Sequence, residues 1–101
     1  MREQERRFIE EVLGRVLMIN IGNLPMFIYK STKRPGYIVS YYLDISASDK
    51  VGDVAAVCGA VRSKEEFLRA KLIAVTSWAE KIGLKSGMQV KRAIKILEEY
   101  K

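Results

Sequence analysis

From Glu3 to Asn20 the apolar residues Ile9, Val12, Leu13, Val16 and Leu17 fall at the three- and four-residue steps of one helical face. A first helix over 3–20 is therefore predicted, with Glu3 and Glu5 near its positive end. Past the breaker Asn23-Leu24-Pro25 the period falls to two, and Met26–Ser31 and Tyr37–Ile45 are rich in aromatic and β-branched residues. Lys33-Arg34-Pro35-Gly36 between them supplies a turn, so a hairpin is predicted over 26–45. Proline would set φ at the first central turn position and glycine would take the positive φ at the second. That turn puts Tyr29 across from Tyr42, and Lys30 across from Tyr41.

Helical spacing then returns. Val51, Val54, Ala55, Cys58 and Val61 share a face and predict a helix of small residues over 49–61, weakened by Gly52 and Gly59. Leu68, Leu72, Val75, Ala79 and Ile82 form a longer seam, opened by a Ser63–Glu66 capping box and closed by Gly83, which predicts a helix over 64–82. Phe67, Ala70, Ile73, Ala74 and Trp78 widen that seam past half the circumference, so this helix is expected to be the centre of the fold. A second box, Ser86 with Gln89, precedes Val90, Ala93, Ile94 and Leu97 and predicts a helix over 87–100. The expected fold class is mostly α, within α+β: one four-helix domain over 1–101, with a single β-hairpin between helices 1 and 2.

Composition narrows the chemistry. The chain has 101 residues, 49% of them hydrophobic and 30% charged, as a folded domain has, and a net charge of +6. Its few amide side chains and plentiful Lys, Arg, Glu, Ile and Val lean toward a thermophile's usage. No apolar run is long enough for a bilayer and the start is too polar for a signal peptide, so the cytoplasm is the expected compartment, with no membrane partner. Histidine is absent, which removes Ser-His and Cys-His nucleophilic pairs. Cys58 lies in the apolar string VAAVCGAV and reads as a core thiol. Asp44, Asp49 and Asp53 are the only clustered carboxylates; a strand end and the first turn of a helix explain them better than Mg²⁺ does. No catalytic residue, metal or cofactor is expected.

The positive charge is uneven: residues 21–45 hold three basic residues to one acidic, and residues 62–101 hold ten to five. On the hairpin, Lys30, Lys33, Arg34 and Tyr37 interleave with Tyr29, Tyr41 and Tyr42, a mixture that neutralises phosphates and stacks on unpaired bases. Lys85, Lys91, Arg92 and Lys95 form a second candidate footprint, joined by Lys64 and Lys71, which are seven apart and share a helical face. A strand-rich tyrosine content, charged turn tips and a solvated lysine face account for the same residues in structural terms. The expected partners are nucleic acid, DNA before RNA, and either copies of the chain or other subunits. A purely structural interaction protein and a small archaeal viral or chromatin DNA binder are the alternatives.

The order of N-terminal helix, Arg34-Pro35-Gly36 hairpin and basic helices from Ser48 to Tyr100 resembles the small subunit of archaeal type I-A CRISPR surveillance complexes. That resemblance implies a subunit without catalytic activity that lies beside the crRNA backbone and holds DNA on a basic surface. Lys30, Lys33 and Arg34, or Lys91, Arg92 and Lys95, would then face the DNA.

Overall fold

In the computed structural model, which describes residues 2–100, the chain runs α1 (Glu3–Arg15), β1 (Leu17–Asn20), β2 (Pro25–Lys30), β3 (Tyr37–Ser40), α2 (Ile45–Lys50), β4 (Ala55–Cys58), α3 (Lys64–Arg69), β5 (Leu72–Val75), α4 (Ser77–Lys81) and α5 (Val90–Glu99). The strands form one five-stranded sheet in the order β1-β2-β3-β4-β5. All neighbours are antiparallel except β3 and β4, which run parallel through the crossover containing α2. The expected four-helix domain with one inserted hairpin is therefore corrected to an α+β fold built on a mixed sheet.

The helix predicted over 64–82 is divided into α3, β5 and α4. Ala70 is extended, and the backbone around it bonds to the segment before α5: Val90 N donates to Ala70 O, Leu72 N to Met88 O and Gly87 N to Leu72 O, each at 2.8 Å. Those bonds replace the i to i−4 ladder a helix would need. Ile73, Val75 and Thr76 are β-branched, which favours the extended state once pairing is available. Thr76 then restarts the helix as an N-cap, its Oγ1 accepting from Ala79 N at 3.2 Å.

The helix predicted over 49–61 is corrected in the same way. Asp44 caps α2 by accepting from Ala47 N, the helix stops at Lys50, and Ala55–Cys58 is a strand buried along its whole length. A strand covered on both faces reads as an unbroken apolar run, and with small residues such a run imitates a close-packed helix. The first helix ends at Arg15 rather than Asn20, because Val16 turns extended and Leu17–Asn20 pairs with β2. The last helix begins at Val90, not 87; Gln89 occupies its N-cap without a side-chain bond, and Ser86 Oγ instead donates to Ile73 O. At Ser63 the cap is present, accepting from Glu66 N at 3.0 Å, but Glu66 returns its carboxylate to Arg62 N.

The hairpin exists with another register. Lys30 faces Tyr37 and Tyr29 faces Ile38, so the connection is the six-residue loop 31–36 instead of a tight turn. The shift brings Tyr37 N to Val54 O at 3.1 Å and so begins the parallel pairing with β4. Gly36 is required in this loop: its φ is +148°, and a Cβ there would meet Leu97 Cδ2 at 2.7 Å.

One face of the sheet carries the core. Phe27, Tyr29, Ile38, Ala56 and Cys58 pack with Val12, Phe67, Leu68, Val90, Ile94 and Leu97 from α1, α3 and α5. Phe27 and Phe67 stack with ring centroids 5.9 Å apart. Val39, Ala55 and Val57 point the other way and are buried too, where α2 lies against β4.

Candidate functional site

The hairpin loop is anchored before it can bind anything. Glu98, near the end of α5, receives Tyr29 OH at 2.7 Å and Thr32 N at 2.9 Å on Oε1, and Thr32 Oγ1 at 2.7 Å on Oε2. Burial works to raise the Glu98 pKa, but the bonds from Thr32 and Tyr29 outweigh it and hold the carboxyl below its usual range. Ser31 Oγ donates to Leu97 O, Tyr100 OH to Pro35 O, and Arg34 Nη1 to Glu98 O, with the Arg34 guanidinium also over the Tyr100 ring. The loop is thus tied to the C-terminal end of α5 at four residues. Tyr29, expected to offer a stacking face, is fully buried, and burial pushes its hydroxyl up to about 12.

Against this anchor lies an open cleft of about 530 Å³, walled by the hairpin loop and by Gly52–Val54. Lys30, Lys33, Arg34 and Tyr37, four of the residues singled out in the sequence, all line it. Tyr37 donates to Asp53 Oδ2 at 2.5 Å; burial first, then that carboxylate, raises the hydroxyl's pKa and keeps it a donor. Lys30 and Lys33 are exposed and have no hydrogen-bond or ion-pair partner among the described residues. Two unpaired ammonium groups beside a fixed guanidinium suit an anionic ligand.

The second footprint is dispersed. Lys91 donates to Glu5 at 3.0 Å, and that bond with the lysine's charge lowers the Glu5 pKa. Lys95 lies 5.2 Å from the Phe8 ring centroid, and Lys64 donates to Leu13 O at the end of α1. Lys71 is exposed at the start of β5, bridged through its backbone to Gln89. Lys85 and Arg92 remain together, lining a cleft of about 500 Å³ next to Ser86–Gln89. Because α1 supplies Glu5, the lysine face of α5 is partly neutralised by a residue 86 positions away.

Sequence reasoning named Asp53 only as a helix-start carboxylate and passed over Glu98, and both shape the hairpin cleft from distant positions. Their partners lie 16 and 66 or more residues away, and no local spacing signals such pairing. Asp44, Asp49 and Asp53 each take a different partner: Ala47 N, the Ser77 hydroxyl and amide, and the Tyr37 hydroxyl. No three metal-ligating side chains come together among the described residues. No helix among them is long and apolar enough to cross a membrane. Cys58 is buried, and burial pushes its thiol up to about 11, far from the thiolate a reactive cysteine needs.

The fold is thus that of a small α+β domain with a mixed sheet, an anchored hairpin and two open basic clefts. The chain belongs to the family described as a domain of unknown function, DUF1805, which it matches over residues 41–97. It is also similar to the crystal structure of a protein of unknown function, TA1206 from Thermoplasma acidophilum, with 30% identity and a TM-score of 0.74 over 81% of this chain and 78% of that one. No curated protein matches it. The family match begins at Tyr41, so it includes the Lys85–Arg92 cleft and leaves out the hairpin loop.

Proposed function

We propose that the protein is a non-catalytic module that holds polyanions, nucleic acid foremost, against the hairpin cleft. The observation that carries this reading is the contrast in lysine employment. Lys30 and Lys33 stand unpaired in an open cleft with Arg34 fixed beside them, whereas Lys64, Lys91 and Lys95 are engaged within the fold. Contacts of that kind address phosphate and leave base sequence unread. Lys85 and Arg92 form a second basic place toward the N-terminal end of α5, whose C-terminal end anchors the hairpin loop. The cytoplasm is the compartment this reading assigns. The helical order that carried the CRISPR likeness is interrupted by β1, β4 and β5, so the likeness lends this reading no support.

The test is a salt series of binding to single- and double-stranded oligonucleotides followed by fluorescence anisotropy. Lys30→Glu with Lys33→Glu is expected to weaken binding at least tenfold and to reduce the log–log salt slope by about 2, one per lost phosphate contact. Lys91→Glu is expected to do much less. Binding that ignores the hairpin reversal but falls with Lys85→Glu plus Arg92→Glu would move the contact to the other cleft. A protein that ignores every oligonucleotide at low salt would end the reading.

A further inference from the structure

Among the described residues, none covers the β1 end of the sheet. Between Val16 and Tyr29 there is no charged residue, in a protein where 30% of residues are charged. Leu17, Met18, Ile19 and Ile21 are exposed to 61, 50, 41 and 55%. Leu17 and Ile19 share the sheet face of their partners Ile28 and Met26, and Met18 shares that of Phe27. The strand is therefore apolar and uncovered on both faces, and as the terminal strand it also presents unpaired backbone N–H and C=O groups. Neither a lysine, nor a proline, nor a bulge interrupts it.

We propose that β1 pairs with β1 of a second copy, antiparallel about a two-fold axis perpendicular to the sheet, so that two sheets become one. Three observations select a second copy as the occupant. The edge needs a strand, because only a strand offers the complementary backbone row. Each copy carries a net charge of +6, so two copies meet at least cost through a surface free of charge, and the exposed residues 17–23, none of them charged, form that surface. Finally, a two-fold contact uses the same strand twice. It covers both bare edges at once and leaves only the β5 edges outside, where Leu72 and Ile73 are already bonded to the 86–88 segment. Assembly accordingly stops at two. This inference stands apart from polyanion binding, and either can fail without the other.

Sedimentation equilibrium from micromolar to millimolar concentration tests it. The wild-type protein is expected to reach twice the 11.5 kDa chain mass and no more. Leu17→Lys with Ile19→Lys is expected to hold the mass at that of one chain, with an unchanged far-ultraviolet circular dichroism spectrum. Ile73→Lys, on the opposite edge, is expected to leave the dimer intact. A wild-type protein that stays at one chain mass throughout, a ladder of larger species, or a double lysine variant that remains dimeric would each overturn the proposal. Should the double variant fail to fold, Leu17→Ser is judged by the same criterion, and the wild-type series needs no variant.

Discussion

The two edges of the sheet are treated in opposite ways. At β5 the chain folds back on itself: Leu72 N and O are bonded to Met88 and Gly87, Ser86 Oγ covers Ile73 O, and Lys71 and Lys85 place charge alongside. At β1 there is no covering segment among the described residues and no charge, only Leu17-Met18-Ile19-Asn20 in the open. An edge guarded by loop and lysine is built to stay solitary, while a bare apolar edge is built to be covered. The same chain shows both devices, so the bareness of β1 is not a general looseness of the fold.

The largest expected effect comes from truncating one leucine at each edge. Leu72 is 2% exposed and belongs to the core, so Leu72→Ala is expected to cost about 2–5 kcal/mol in urea unfolding. Leu17→Ala, measured at dilutions where the chain is monomeric, is expected to change stability by less than about 0.5 kcal/mol. Equal costs would mean that β1 is packed within the monomer and would erase the contrast.

Next is Thr76, which secures the end of β5. Its buried Oγ1 accepts from Ala55 N and Ala79 N and donates to Asp53 O. Thr76→Val leaves those groups unpaired and is expected to cost about 2–3 kcal/mol in the same experiment.

A smaller effect of opposite sign is expected at Tyr41, beside the open half of the sheet. Tyr41 is the one non-glycine residue with positive φ, 71°, among the described residues, yet its side chain is exposed. Its neighbour Tyr42 reaches Leu24 O in the β1–β2 connection. Tyr41→Gly relieves the left-handed strain and is expected to raise stability by about 1 kcal/mol. A loss instead would show that the ring is held by contacts worth more than the strain.

The last effect vanishes at neutral pH. Burial raises the Cys58 thiol from 9.0 to about 11 and the Tyr29 hydroxyl from 10.0 to about 12, so the fold favours both protonated forms. Stability from these groups is complete below the unfolded values and falls as pH rises through 9 to 12. Because both lie on the helix-covered face, the alkaline limb of a Tm–pH curve is expected to be the same in the Leu17→Lys, Ile19→Lys variant. A different limb there would tie β1 to the core.

What could be read from the sequence follows from how local each signal is. The stripes of α1 and α5, the Ser63 cap and the existence of the β2–β3 hairpin all rest on neighbouring residues, and all are present in the structure within shifted bounds. Ala55–Cys58 and Leu72–Val75 failed because short apolar runs are equally at home on a helix or in a buried strand. What decides for strand is pairing with β3 and with each other, which no window of sequence contains. The Thr76 N-cap, thirteen residues after the Ser63 cap, was the local hint of two helices rather than one. In the cleft, Lys30, Lys33, Arg34 and Tyr37 were legible because they are near neighbours in the chain. Asp53 and Glu98 arrive from elsewhere, as does Glu5 against Lys91.

Amide hydrogen exchange, read strand by strand in a dilute and a concentrated sample, addresses the contrast between the edges most directly. Slow exchange at Leu72 in both samples is expected, with the β1 amides that point away from β2 protected only in the sample where the mass has doubled. Protection of those outward amides that is the same at both concentrations, whether high or low, would contradict the pairing of two copies through that strand.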